Sequence, residues 1–344
     1  MRGIVSLTDE EITKLQNIYN SKVAGDEYTM TTYIVRQADK ALLIAPCAVP
    51  SLITSGNTVA TGEASTTSIG NKQSNAAYSL ALGYAITGKQ SYYDAALAII
   101  KEWAAINNPV GDTVANASLL NMFRSYDLLG VADNDINAWL TATGNAIIVE
   151  QESSIARNSQ VGINNHHSWG LLEICTLGHM LNNQLFQDYY QSRMDKHIAD
   201  NLRSFPDEPL YFGVDFHERK AVHYVAFNMA ALCNLMIIIE GRSTDVDNTF
   251  KALLPYASGE KQSMNEFEGS QNSNDDDRIA NGSLSAVFDP IDALDAINAY
   301  YLYSPVVGGY NLASIATNIV IASGKKPVTA KYPTVDMFIN YIRG

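Results

Sequence analysis

Apolar residues recur at helical spacing along most of the chain, and alternating apolar and polar runs are scarce. In "QSNAAYSLALGYAITG" (73–88) and "SYYDAALAIIKEWAAI" (91–106), apolar or small side chains return every three to four positions. That repeat gives a helix one buried stripe. The first run stops at Gly88 in a Thr-Gly-Lys turn, and the second stops before Asn-Asn-Pro. Both are ordinary helix ends. Near the N-terminus, "SLTDEEITKLQNIY" carries a capping box, with Thr8 as N-cap and Glu11 three residues on. Further blocks cover about 114–130, 134–151, 167–182, 186–204, 219–240, 244–256, 288–303, 309–323 and 334–342. With two helices near the N-terminus, about a dozen are predicted, joined mostly by short turns. Consecutive helices joined in this way pack antiparallel, and a long series of such pairs closes most readily into a ring. The expected fold is all-α: an incomplete (α/α) toroid or barrel of antiparallel helix pairs around a central cleft.

One stretch interrupts the pattern. Residues 257–286 are polar, acidic and rich in Gly, Ser and Asn. They read as a solvated loop or as a lid or rim. Asp275, Asp276 and Asp277 within it raise the question of calcium, but the ligand spacing of an EF-hand is absent. Nothing resembles a linker, so a single domain over 1–344 is expected, with this loop as an excursion.

Composition narrows the function classes. Apolar residues make up 47% and charged residues 17% of 344, which belongs to a folded globular chain. No apolar run reaches the roughly 20 residues that would span a bilayer. A net charge of −13 disfavours nucleic acid or an anionic membrane as partner. It also means that an anionic substrate would need a locally basic pocket. Cys47, Cys175 and Cys233 are an odd, widely spaced set, two of them in apolar helical stretches, so free thiols are expected. The opening "MRGIVSLTDEEITKLQNIYN" lacks the apolar core of a secretory signal. Retention inside a cell, a leader already removed, or release by lysis or on a particle all remain open, and oligomeric state is not legible.

The chemistry-bearing residues concentrate in two windows. The first is "GINNHHSWG", 162–170. Adjacent residues on a helix point about 100° apart, so His166 and His167 make poor joint ligands for one ion. No H-E-x-x-H pair exists, and neither a metal nor a cofactor is expected. The pair instead opens a helix, with Asn164 or Asn165 near its N-cap. Free N–H groups at such a start suit a carboxylate. The plainer alternative makes Asn165 a cap and His166 a core histidine. The second window, "DFHERKAVHYVAFNMAALCNL" (215–235), gathers His217, Arg219, Lys220, His223 and Tyr224 at the entrance of an apolar helix. Its plainer alternative is an amphipathic helix with a snorkelling basic start. Four of the six histidines fall in these two windows. Asn, His, Arg and Tyr, without a nucleophilic serine, a metal or a carboxylate pair, suit removal of a proton alpha to a carboxylate. Donors stabilise the enediolate while Tyr or His moves the proton. On a uronic acid this is β-elimination, which leaves a C4–C5 double bond.

These windows resemble a known family. "NNHHSW" is similar to the N-N-H-x-x-W signature of the alginate lyases, helical-toroid polysaccharide lyases. "HERKAVHYVAFNMAAL" resembles that family's second motif, a basic residue followed by A-x-x-Y and an apolar helix. "AAYSLALGYAITGKQSYYDAALAIIKEWA" is similar to its upstream helix pairs, so the resemblance runs over roughly 75–240. It implies that Asn165 and His166 neutralise the substrate carboxylate and that Tyr224 protonates the leaving oxygen. In syn elimination Tyr224 is also the base; in anti elimination His166 takes the C5 proton. The family's assisting arginine falls in register on His217, with Arg219 the nearest arginine, and Arg219 is preferred. His167, His217, Trp169, Lys72, Arg124 and His223 are further candidates for substrate binding. The implied partner is an anionic polysaccharide. Two rivals stand beside this reading. A glycoside hydrolase would need paired carboxylates, for which Asp127, Asp215 and Glu218 are available. A glycan-binding or virion-associated module would have kept the fold without the activity.

Overall fold

The computed structural model describes residues 5–54, 65–159, 162–202, 222–261, 280 and 287–344. Among them are thirteen helices of seven or more residues. In chain order these are α1 (Asp9–Ser21), α2 (Asp26–Ala41), α3 (Thr67–Thr87), α4 (Gln90–Ile106), α5 (Leu120–Leu129), α6 (Asn134–Ala156) and α7 (Asn165–Met180). There follow α8 (Gln184–Leu202), α9 (Val222–Ile238), α10 (Thr244–Ala257), α11 (Leu294–Tyr300), α12 (Leu312–Ala322) and α13 (Val335–Arg343). The all-α class expected from periodicity is the one observed. Most of the polar stretch expected at 257–286, with its three aspartates, lies outside the described residues.

Local chemistry accounts for where the helices begin and end. The Thr8 capping box closes in both directions: Glu11 N–H donates to Thr8 Oγ1 at 3.2 Å and Thr8 N–H to Glu11 Oε2 at 2.7 Å. Asp133 caps α6 by accepting from the Asp135 and Ile136 amides. Gly88 ends α3 in the left-handed region at φ 68°, as the Thr-Gly-Lys turn predicts. Two departures from the expected spans have local causes. The block near 114–130 begins with a four-residue helix, Thr113–Asn116, and a 3-10 turn before α5. The 309–323 block is preceded by a two-residue hairpin, β1 (Val306–Val307) with β2 (Tyr310–Asn311). Gly308 and Gly309 both have positive φ there, as a tight two-residue hairpin turn requires.

Contacts group the chain into two compact units. The first comprises 1–157 and 173–190, and the second 158–172 and 191–342, with the last two residues divided between them. In the first, α3 packs on α1, α2, α4 and α5, and α4 packs on α6. Tyr92, Trp103 and Phe123 are among its fully buried side chains. Gly144 of α6 is needed for close approach, because a β-carbon there would run into the ring of Phe186. In the second unit α9 is the hub, packed by α10, α11 and the 3-10 turn Pro290–Ala293. Apolar on all sides, α9 is buried along nearly its whole length. Cys175 and Cys233 are buried free thiols, and Cys47 is free and exposed. No helix among the described residues is long and apolar enough to cross a membrane.

Candidate functional site

The start of α7 sorts the "NNHHSW" residues by accessibility. Asn164 is the cap: its Oδ1 accepts from the His166 amide at 3.0 Å, and its carbonyl accepts from the His167 amide at 3.0 Å. Asn165, the alternative cap, is therefore the first residue of the helix, and its side chain is buried. His166 is half-buried, whereas His167 turns inward and is 2% exposed. The His167 ring lies 4.6 Å from that of His197, centroid to centroid. Burial above all, and then the Arg193 charge, push the His167 imidazole down to about 4, so it is neutral at physiological pH. Trp169, one turn after His166, is also buried and packs on Phe227 of α9, ring centroids 4.8 Å apart.

The second window contributes its helical part. Tyr224 is half-buried in the first turn of α9, and its ring lies 3.9 Å from that of His223. One turn further on, Asn228 is fully buried. His217, Arg219 and Lys220 lie outside the described residues, as do Asp215 and Glu218.

Beneath these residues runs a polar chain that the sequence reading missed. Ser168 Oγ is 2.5 Å from Asn228 Oδ1 and 2.7 Å from His197 Nε2. Asn228 Nδ2 donates to Asn201 Oδ1 at 2.7 Å, and Asn201 Nδ2 donates to the Ile163 carbonyl at 2.8 Å. All four side chains are buried. Burial, followed by the neighbouring His167, holds the His197 imidazole well below the usual histidine range. The available signal was a set of polar residues inside apolar helices, such as Asn228 in "AFNMAAL". Ser168 and His197 look at first like a nucleophile and base. Yet Ser168 is wholly buried and already lies within hydrogen-bond distance of Asn228, so no substrate carbonyl can reach it.

Comparison with known proteins now bears on these motifs. A family model described as alginate lyase matches residues 46–253, well over half the chain, and this span contains both windows. The chain belongs to the alginate lyase family. It is accordingly a polysaccharide lyase. Among solved structures it is similar to an alginate lyase from Bacteroides ovatus, at 14% identity and a TM-score of 0.60. The match covers 98% of this chain and 99% of that one, and at such identity it speaks for the fold. No curated protein matches the chain.

The remaining candidates of this lyase lie in its first unit. Lys72 is exposed in the first turns of α3. Arg124 of α5 is half-buried and donates to Asn121 Oδ1 at 3.2 Å, while Asn121 donates to Asn75 Oδ1 at 2.8 Å. Asp127, available on paper for a carboxylate pair, is buried and accepts from both the amide and the hydroxyl of Ser6. Glu173 of α7 was not anticipated. It is wholly buried, and neither carboxyl oxygen has a hydrogen-bond partner among the described residues. Burial first, and then Asp112, raise it well above the usual carboxylate range, so it is held protonated. Among the described residues no three metal-ligating side chains converge.

Proposed function

We propose that this lyase cleaves a uronic-acid polysaccharide of the alginate type by metal-independent β-elimination. Asn165 and His166 neutralise the C6 carboxylate at the cleaved linkage, with Arg219 assisting, or His217 in its place. Neutralising that charge lowers the energy of the enediolate formed when the C5 proton leaves. The C5–H bond and the bond from C4 to the glycosidic oxygen break, a C4–C5 double bond forms, and Tyr224 protonates the departing oxygen. In syn elimination the tyrosine oxygen also receives the C5 proton. In anti elimination His166 receives it.

The observation that carries this reading is the sorting at the two helix entrances. Where α7 begins, His166 is left half-exposed while Asn165 and His167 are buried, so the accessible contact at this turn is His166. Where the deeply buried α9 begins, Tyr224 keeps a half-exposed ring. A helix start, at the positive end of the helix dipole, that leaves an imidazole accessible is chemistry suited to a carboxylate. The same sorting supports His166 over His167 as the carboxylate partner, and packing support as the role of His167 and Trp169. His223 lies against Tyr224 and suits a contact with a neighbouring sugar. Lys72 and Arg124 suit contacts with substrate carboxylates, Arg124 having its guanidinium steadied by Asn121. The engagement of Asp127 by Ser6 weighs against the hydrolase alternative.

The test is the ultraviolet absorbance of the unsaturated product over time on a panel of polyuronates, for wild type and Tyr224→Phe. Phenylalanine keeps the ring and deletes the proton-carrying hydroxyl. We expect one polymer to give rising absorbance and the variant to lose about 10²–10⁴-fold in kcat while remaining folded. New reducing ends without absorbance would favour a hydrolase, and binding without cleavage would favour a glycan-binding module.

A further inference from the structure

The buried chain from Ile163 to His197 has a polarity that a single atom dictates. A backbone carbonyl can only accept, so the group of Asn201 facing the Ile163 oxygen must be its Nδ2, and its Oδ1 faces Asn228. That oxygen likewise only accepts, so Asn228 presents Nδ2 to it and Oδ1 to Ser168. The one hydroxyl proton of Ser168 is then committed to Asn228, and Ser168 Oγ can only accept from His197. His197 must carry its proton on Nε2. Its Nδ1 is then a bare acceptor, and that atom has no hydrogen-bond partner among the described residues. Every link is thus determined, and the imidazole acts as a neutral donor.

The chain also joins specific places. Ile163 immediately precedes the Asn164 cap, and Ser168 is one turn after Asn165. Asn228 is one turn after Tyr224, and His197 and Asn201 are one turn apart on α8. At the adjacent positions Trp169 packs on Phe227, so α7 and α9 meet through one polar and one aromatic contact side by side. A purely apolar contact between two helices tolerates small slides. A hydrogen-bonded chain with determined polarity does not, because a shift strands a buried donor or acceptor.

We propose that Ser168, His197, Asn201 and Asn228 form a positioning network that sets the register of the turn bearing Asn165 and His166 against the turn bearing Tyr224. This rests on the reading of those three residues given above. The four touch no substrate; they act through the residues they hold. Polymer binding along the rest of the chain is left intact, so the network controls turnover more than affinity. A displacement near 1 Å at reacting groups costs on the order of 10²-fold in rate.

The experiment compares Ser168→Ala, His197→Gln, His197→Leu and Tyr224→Phe in the full-length protein on the polymer that wild type cleaves. It reads Tm, kcat and KM. Glutamine keeps an N–H donor near the reach of Nε2 and cannot titrate; leucine keeps neither. We expect Ser168→Ala and His197→Leu to lose roughly 10- to 100-fold in kcat with KM little changed, and His197→Gln to recover most of that loss. Unchanged kcat per folded molecule in Ser168→Ala and His197→Leu, with Tyr224→Phe inactive, overturns the positioning role and leaves the site reading standing. His197→Gln as inactive as His197→Leu overturns it too, since the imidazole would then be needed for its own titration. Full activity in Tyr224→Phe removes the site reading itself, and the positioning role with it. Should Ser168→Ala fail to fold, the two His197 variants still decide. Nitrogen-15 NMR of labelled wild type provides a readout independent of activity. A neutral Nε2–H ring between about pH 5 and pH 8, where an ordinary histidine changes charge, supports the chain as drawn. An Nδ1–H ring or a titration in that span overturns it.

Discussion

His167 and Glu173, six residues apart on one helix, are both held uncharged by burial, and their opposite chemistry gives opposite responses to pH. For His167 the folded value, about 4, lies below the ordinary 6.5, so between these values the unfolded chain binds the extra proton. Its contribution to stability is therefore complete above pH 6.5 and is lost as pH falls toward 4, by about 3 kcal/mol for a shift of this size. Thermal denaturation of wild type and His167→Gln across this window should show wild type losing ground to the variant as the solution is acidified. A constant gap in Tm would mean that the ring is not desolvated. Glu173 reverses the sign. Its folded value is raised, so the stability it contributes is present below the ordinary 4.5 and is lost as pH climbs and the unfolded chain releases its proton. Glu173→Gln, neutral at every pH, should gain Tm relative to wild type steadily as pH rises above about 4.5. A gap that shrinks instead would place a compensating charge beside the carboxyl.

The helices show which parts of this architecture are written locally and which are not. Thr8 with Glu11, Gly88, and the apolar stripes of α3 and α4 are each encoded within a few residues, so their positions follow from the sequence. The cap of α7 was legible only as a choice between Asn164 and Asn165, because both side chains can accept from an amide two residues on. The choice fell to Asn164, and Asn165 entered the helix. Replacing Asn164 with Ala should cost about 1 kcal/mol, and Asn164→Asp should keep most of it. Chemical denaturation of both variants checks this, and equal losses would mean that the side chain does not cap. Long-range pairings were not legible at all. Nothing near Ser168 indicates that His197 and Asn228, 29 and 60 residues away, would converge on its hydroxyl. The family motif singles out Asn165, His166 and Tyr224 because a motif is read along the sequence, whereas the buried polar chain beside them is visible only after folding. Gly144 was equally silent, although Gly144→Ala should cost about 1–3 kcal/mol by forcing the ring of Phe186 aside.

If the substrate is the proposed polyuronate, a net charge of −13 sets long-range repulsion against short-range attraction, and ionic strength separates the two. The whole-molecule field acts over the Debye length, about 30 Å in 0.01 M salt and about 8 Å at physiological strength. The cationic and donor groups proposed to meet the cleaved sugar would act within a few ångströms, where screening is weaker. At low salt the repulsion reaches the approaching polymer in full and slows encounter. Modest salt should therefore raise kcat/KM. Further salt weakens the contacts between carboxylates and cations, so kcat/KM should pass through a maximum and fall. kcat, measured with the polymer already bound, should change less. Initial rates over a salt series give both quantities. A monotonic fall from the lowest salt would mean that a basic rim overrides the acidic body, and would direct attention to Lys72, Arg124 and the basic run at 217–220 as steering charges. A flat response would mean that encounter is governed by neutral contacts, with the carboxylate recognised only after the polymer is seated.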